Sequence, residues 1–478
     1  VRAARLVVFV ILGGLLTLAA VIDRSDRPEE VITGALRPAV PSAGGATVTW
    51  FCPGGPGPGG VAEVGLELVN SSSEARRSIV TALPGGRIAA EGTSVELDLG
   101  PGERAAVVPS ELAPGALFVG AVVEVDGPGV VVEQSLVSGA IGAGRSPCST
   151  RTDDLWVVPS GATRLEAEGE QMLIMMLNPF PDDAVADVAF SADVGLDEEP
   201  GLVIPAGEVV ALDVTEAVPV ASQVSAVIEV VAGRISVSRV QAVSGDTAGR
   251  GIAVTSATPS GAPLWYLPIV EPRDGRTDVV SVTNPDPEQI AEVDVEVIPD
   301  RPDLSVDPIE LTVRPGRTVT VDLAAETRLD DVEAASLLVR SLDGLPVAVD
   351  VATTVHGGGE LVAGISGTIG VDAASDTWVV PLESLAEHSE SQMVVVNPST
   401  VAIATVDLVV DGQVVRTAEL GPQRRLAVPA AELGVDRFLV RVESSAPVVA
   451  ARELVGLTSR SAAIGVALGE LIEFAALP

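Results

Sequence analysis

The chain contains no lysine: all 29 basic residues are arginine, set against 66 acidic ones. With Ala, Val and Gly abundant, the missing lysine reads as codon bias and carries no functional weight. The shortage of positive charge does exclude partners. A net charge of −37 repels nucleic acid and anionic membrane surfaces over a long range, so neither surface is expected to bind it. The acids are scattered, and no block of about five or six like charges marks an acidic tail. Aromatics are scarce, at 7 Phe, 4 Trp and 1 Tyr. Any core must therefore be built from Val, Leu, Ile and Ala, and exposed aromatic platforms are not available. The two histidines, His356 and His388, sit in unrelated contexts, which leaves histidine acid–base chemistry poorly supplied. No Gly-x-Ser-x-Gly elbow, His-Glu-x-x-His or P-loop is present. Gly357, Gly358 and Gly359 have no following Gly-Lys-Ser/Thr and read as a turn. The expectation is a chain without catalytic residues or cofactor.

Cysteine is nearly absent too. Cys52 and Cys148 are the only pair, 96 positions apart, and with both histidines far downstream they do not make a zinc set. Their compartment follows from the N-terminus. Leu6 to Ile22 is an uncharged apolar run behind Arg2 and Arg5, long enough to be a short membrane span and slightly long for a signal-peptide core. No clear small-x-small cleavage site follows it. Residues 1–22 are expected to be a signal anchor, with a cleaved signal sequence as the alternative, and residues 23–46 a Pro/Gly/Ala linker. The flanking arginines keep the N-terminus in the cytoplasm, so both readings export everything beyond. In an oxidising compartment an isolated cysteine pair usually bonds, and Cys52–Cys148 is expected as a disulfide.

What the sequence does have is a repeat. Trp50, Trp156, Trp265 and Trp378 are its only tryptophans, and Asn70, Asn178, Asn284 and Asn397 its only asparagines. Each Trp is followed by one Asn, 20, 22, 19 and 19 residues later. Trp-x-x-Pro recurs as WFCP, WVVP, WYLP and WVVP. A strand ending in Asn follows (VGLELVNSS, LIMMLNPFP, VVSVTNPDP, MVVVNPST), then a turn such as LGPGERAAVV or VRPGRTVTVDL, then two strands returning to Gly. The Trp-to-Trp intervals are 106, 109 and 113 residues. Four ordered landmarks in four copies define repeats at 47–150, 151–260, 261–373 and 374–478.

Within a repeat the strands alternate. In AEVDVEVIPD, Val293, Val295 and Val297 face one way and Glu292, Asp294 and Glu296 the other; in RFLVRVE, Phe438, Val440 and Val442 oppose Arg437, Arg441 and Glu443. A period of two with one polar face is a half-buried antiparallel strand. The fold class is therefore all-β: four tandem immunoglobulin-like β-sandwich repeats, with a β-propeller as the main alternative. The antibody Cys…Trp…Cys spacing is absent, so the likeness is architectural. Leu66, Leu68 and Asn70 share a face, as do Val280, Val282 and Asn284. Each Asn thus ends an inward row, where its amide can bond the backbone two residues on and start a turn. The Trp supplies core bulk, with its indole N–H partnered nearby. Both residues are expected to be structural, the rival being a repeated sugar site.

The N-terminal apolar run, the bracketing cysteines and the tandem Trp-x-x-Pro … Asn-Pro … Pro-Gly units resemble an uncharacterised family of secreted actinobacterial proteins, a domain of unknown function, over about residues 47–478. The resemblance implies extracytoplasmic β-sandwich repeats in the cell envelope and brings no catalytic residue or substrate. Acid pairs at Asp153-Asp154, Asp182-Asp183, Asp197-Glu198-Glu199 and Asp330-Asp331 lack an EF-hand frame and read as solvated turns rather than metal ligands. The expected role is a non-catalytic spacer or interaction scaffold, a semi-rigid rod outside the membrane that contacts envelope proteins or cell-wall polymer. The alternative is a ligand-binding module for wall glycan, or calcium-dependent adhesion.

Overall fold

A tryptophan strand opens each repeat, and seven further strand segments fold back around it. In the computed structural model the described residues are 39–40, 47–57, 60–86, 92–165, 169–245, 249–357, 361–383, 391–433, 437–456, 459–468 and 472–473. The expected anchor at 1–22, most of the linker at 23–46, and His388 lie outside them. Among the described residues no helix is long and apolar enough to cross a membrane.

Repeat 1 contains β1 (Val48–Pro56), β2 (Glu63–Asn70), β3 (Arg76–Gly85), β4 (Ser94–Leu99), β5 (Arg104–Val107), β6 (Phe118–Val125), β7 (Val130–Ser138) and β8 (Gly142–Pro147). They form two antiparallel sheets, ordered β1-β6-β3-β4 (sheet I) and β5-β2-β7-β8 (sheet II). Repeat 2 follows with β9 (Leu155–Val158), β10 (Glu170–Asn178), β11 (Ala184–Ala192), β12 (Gly195–Ile204), β13 (Glu208–Asp213), β14 (Val224–Ala232), β15 (Ser236–Val243) and β16 (Gly251–Ser256). Repeat 3 has β17 (Leu264–Val270), β18 (Arg276–Thr283), β19 (Ala291–Pro299), β20 (Ile309–Val313), β21 (Thr318–Asp322), β22 (Ala335–Ser341), β23 (Ala348–Val355) and β24 (Gly364–Ile369). Repeat 4 has β25 (Ala373–Glu383), β26 (Gln392–Asn397), β27 (Ala404–Val410), β28 (Gln413–Leu420), β29 (Arg424–Pro429), β30 (Arg437–Val455) and β31 (Arg460–Ile464), where the long β30 passes from sheet I into sheet II. Strand order is the same in all four repeats. It places the first, third, fourth and sixth strands together, unlike the A-B-E-D and C-F-G partition of an immunoglobulin domain. The chain beyond the eighth strand returns to pair with the first strand of its own repeat, as in Phe51–Ser149, Val157–Thr258, Tyr266–Val371 and Trp378–Ala467.

The expected rod is not what forms. Sheet I of each repeat packs on sheet II of the next, and sheet I of repeat 4 packs on sheet II of repeat 1. Phe51, Val119 and Val122 meet Leu173, Met175 and Val209. Tyr266 and Leu338 meet Val394 and Val396. Val379, Leu439 and Val466 meet Val131. The eighth strands β8, β16, β24 and β31 pack on one another in a closed cycle at the centre. A side chain at Gly144 would come within 2.7 Å of the Ile252 carbonyl oxygen, so this approach requires glycine. Ala39–Val40, inside the expected linker, pairs in parallel with residues 467–468.

The physical cause of the ring is double-sided burial. Every residue from Met172 to Asn178 is buried. Met172, Ile174 and Met176 fill the core of repeat 2, while Leu173, Met175 and Leu177 face repeat 1. A sheet apolar on both faces needs a cover on each, and a rod of independent sandwiches would leave one face wet. Alternation with a polar side survives in strands such as β19, where Val293 and Val295 are buried and Glu292 is exposed.

Candidate functional site

All eight repeat-defining residues are buried to 0% exposure, so none presents a ligand surface. Each Asn has one arrangement. The Asn284 side-chain oxygen accepts from Asp286 N at 3.0 Å, while its Nδ2 donates to the carbonyls of Gln289 at 2.7 Å and Val313 at 3.1 Å. Asn178 repeats this with Phe180 N, Asp182 O and Ile204 O; Asn397 does so with Ser399 N, Ala402 O and Leu420 O. Asn70 does so with Ser72 N, Glu74 O and Leu99 O. The amide therefore starts the turn and also ties sheet II to the end of the fourth strand in sheet I. The tryptophans close the opposite seam. The Nε1 of Trp156, Trp265 and Trp378 donates to Ile235, Val347 and Val448 oxygens at 3.0, 2.7 and 2.7 Å, joining the first strand to the start of the seventh. Trp50 Nε1 has no partner among the described residues. Cys52 and Cys148 form a buried disulfide with an S–S distance of 2.03 Å.

Chemistry collects at the junctions between repeats. At the junction of repeats 3 and 4, Arg276 Nη1 donates to Glu453 at 2.9 Å and Glu271 at 3.2 Å, and its Nε to Asp278 at 3.1 Å. Gln392 joins this network through Glu271, and Arg460 through Glu453. Burial and the Glu453 charge push the Glu271 carboxyl up. Elsewhere one device is used twice. Arg239 and Arg452 occupy matched positions in the seventh-strand segments of repeats 2 and 4. Each contacts its own first-strand region (Ser160, Pro381) and reaches an acid on the next repeat: Asp350 at 3.4 Å and Glu133 at 2.6 Å.

Open space remains at several junctions: about 720 Å³ between repeats 1 and 2 beside Leu117, Phe118, Leu173 and Ala211, about 570 Å³ between repeats 4 and 1 beside Ser72, Arg104, Asp411 and Arg441, and a smaller cleft of about 300 Å³ between repeats 2 and 3. One wall of this cleft is Ser160, Gly161, Ala162 and Gln223; the other is sheet II of repeat 3, with Thr277, Val279 and Ser281 from β18 and Ala352 and Thr354 from β23. Counted back from the strand-ending Asn, Val279 and Ser281 sit where repeat 2 has Leu173 and Met175. Both side chains are smaller than their counterparts; Ser281 is fully buried and Val279 partly exposed. Ser281 and Ser366 lie at the base of the cleft, 0% and 4% exposed, and their hydroxyl oxygens are buried without a hydrogen-bond partner among the described residues. The charges around it form pairs, with Arg239 Nε and Asp350 Oδ1 left without a hydrogen-bond partner among the described residues. Arg164 grips Glu170 with two bonds at 2.8 and 3.1 Å. Below, Arg239 and Ser160 bond to Asp350, the serine at 2.6 Å. Burial pushes the Asp350 carboxyl up to about 6, against the opposing pull of Arg239 and Ser160, and it pulls Arg239 down. His356 is exposed at the rim.

Comparison with known proteins adds a family without a role. Residues 237–456 match a family of unknown function, DUF5719. The match begins in β15 and ends just past β30, so it spans the junctions on both sides of repeat 3. No curated protein matches the chain. Among solved structures, the crystal structure of Thermotoga maritima 1070 is 20% identical, over 22% of this chain and 95% of that one, with a TM-score of 0.19. The tetra-tandem repeat in the extending region of a large adhesion protein is 12% identical, over 84% of this chain and 94% of that one, with a TM-score of 0.11.

The acid pairs singled out in the sequence do not converge: among the described residues no group of three or more His, Cys, Asp or Glu could hold a metal ion. The cleft was not among the sequence-derived candidates. One signal did exist: TDVVSVTN carries Ser281 and Thr283 at the positions where EQMLIMMLN carries Met175 and Leu177. Without the neighbouring repeat in place, the outer face of that strand has no evident role.

Proposed function

We propose that this protein is a non-catalytic, extracytoplasmic cell-envelope protein acting as an interaction scaffold, membrane-anchored with its repeats outside, or secreted if the N-terminus is cleaved. The observation that carries this reading is ring closure. Closing repeat 4 onto repeat 1 engages the buried arginines and carboxylates in joining repeats and gives one closed ring. The buried disulfide supports an oxidising compartment. The fourth strands β4, β12, β20 and β28, at the sheet ends away from the central cycle, carry exposed acids including Glu96, Glu198, Glu310 and Glu419. These charges blunt strand-to-strand aggregation and leave the rim for specific partners. A closed ring suits a platform better than the spacer half of the original expectation. Crosslinking in cells followed by affinity capture and mass spectrometry tests it. Reproducible envelope proteins are expected; empty captures from a chain retained on isolated wall would replace the scaffold with a wall-glycan binder.

A further inference from the structure

The hollow of about 720 Å³ between repeats 1 and 2 opens to solvent above the apolar cluster that joins them. Leu173, Phe118 and Ala211, members of that cluster or packed against it, form its floor. Val61 and Leu117 stand on its walls, 46% and 49% exposed. Two large aliphatic side chains held half in water over an apolar floor make a surface that gains by being covered. The rim is acidic. Glu199 from β12, Asp213 from the end of β13 and Glu216 from the helical turn Val214–Ala217 line it, and among the described residues no arginine does. Asp213 is fixed in place, accepting from Thr215 N at 2.9 Å and from Gln171 Nε2 at 2.8 Å, while Glu199 and Glu216 are exposed. Acids brought to other junctions are met by arginine: Asp350 by Arg239, Glu133 by Arg452, Glu453 by Arg276. Here three acids surround an apolar hollow with no such partner lining it.

We infer that this hollow is a docking site for a segment of a partner protein that inserts one large apolar side chain and carries Lys or Arg beside it. The inference rests on the scaffold reading for the existence of a protein partner, and it names the place and the chemistry of the contact. An apolar anchor in a pocket with a charged rim is the usual plan of a protein contact: the anchor supplies affinity, and the rim supplies choice of partner and speed of encounter. The floor and walls accept the anchor, and Glu199 and Glu216 remain in water to meet the cations. The charge selects against other occupants. A second copy of this chain carries the same net charge of −37, and an anionic lipid surface is repelled for the same reason. A neutral sugar would leave the acid rim unused. Every lining residue precedes residue 237, so the site belongs to the part of the chain outside the family match.

The test is selection of a phage-displayed library of random dodecapeptides on the full chain, followed by affinity measurement with a synthetic copy of the leading peptide. Enriched peptides are expected to carry Phe, Trp, Leu or Met next to Lys or Arg. The synthetic peptide should bind about tenfold more weakly to Leu117→Asp, which puts a charge in the hollow. It should bind several-fold more weakly to the double variant Glu199→Gln/Glu216→Gln, and more weakly in high salt than in low. All three positions are exposed or half-exposed, so the tryptophan-fluorescence melt should not fall; the glutamine pair decides the matter if Leu117→Asp does not fold. No enrichment, enriched peptides without basic residues, or equal binding to wild type and the folded variants overturns the site. Failure here and failure of the scaffold are separable. Envelope proteins captured from wild-type cells and undiminished in Leu117→Asp cells would strike this site and leave the scaffold. Empty captures from wild-type cells would strike the scaffold, and the peptide result would still decide the hollow.

Discussion

The junction of repeats 1 and 2 and the junction of repeats 2 and 3 use the same sheets in the same relation, yet the first centres on an apolar cluster and the second on hydroxyls and a buried ion pair. At the first, Leu173, Met175 and Leu177 interlock with Phe51 and Val119. At the second, the side chains are small and polar, and the contacts include the Arg239–Asp350 pair, the Ser160–Asp350 bond at 2.6 Å and the Ser225–Thr318 hydroxyl pair at 2.6 Å. The lesson is that backbone repetition sets where a junction falls, while the outward-facing side chains decide which kind of contact holds it. Apolar burial holds the first junction. A buried ion pair, whose desolvation offsets much of its attraction, contributes far less to the second.

Mutations can test that contrast. The largest effect is expected at the apolar junction: Met175→Ala should cost about 2–5 kcal/mol in urea unfolding, because the cavity it leaves is hemmed in by two repeats. A cost under about 1 kcal/mol would mean the junction contributes little adhesion. At the polar junction the sensitivity should be to pH. The Asp350 carboxyl is raised to about 6 from 3.8, so the folded state holds its proton more tightly than the unfolded chain does. That contribution favours folding below pH about 4 and is lost as pH rises through about 6. Asp350→Asn should therefore gain on the wild type by about 3 kcal/mol between pH 4 and pH 7. Parallel pH profiles would refute this. Within a repeat, Asn284→Ala should cost about 2–3 kcal/mol, more than a single turn bond, since the amide serves one N–H and two carbonyls. The melt of the full chain reads it. Ser281→Ala should move stability by less than about 0.5 kcal/mol, because its hydroxyl has no partner to lose. A large loss there would show the cleft to be part of the core.

The asparagines were the most legible feature. Parity along β2 and β18 puts Asn70 and Asn284 on the inward row, and local turn chemistry specifies the bond two residues on. The second half of their role, the bond to the end of the fourth strand, joins residues 29 apart in repeats 1 and 3 and has no local signature. The half-buried pattern of AEVDVEVIPD holds for β19 but not for every strand. MLIMMLN is an unbroken apolar run, and that run is itself the mark of a strand covered on both faces. SVSRVQAV is buried throughout with half its residues polar. Hydropathy could not reveal this, because Arg239 is placed there by an acid 111 residues away.

Composition, period and parity determined by themselves that the chain is all-β, that it repeats four times, and which residues anchor each copy. Those properties depend on contacts within about one strand or turn, which a local pattern can encode. Closure of the ring, the alternating Arg–acid pairs and the cleft were decided by tertiary structure alone. Each depends on which outward face meets which, and an outward face takes on meaning only when the next repeat, or for repeat 4 the first, comes to lie against it.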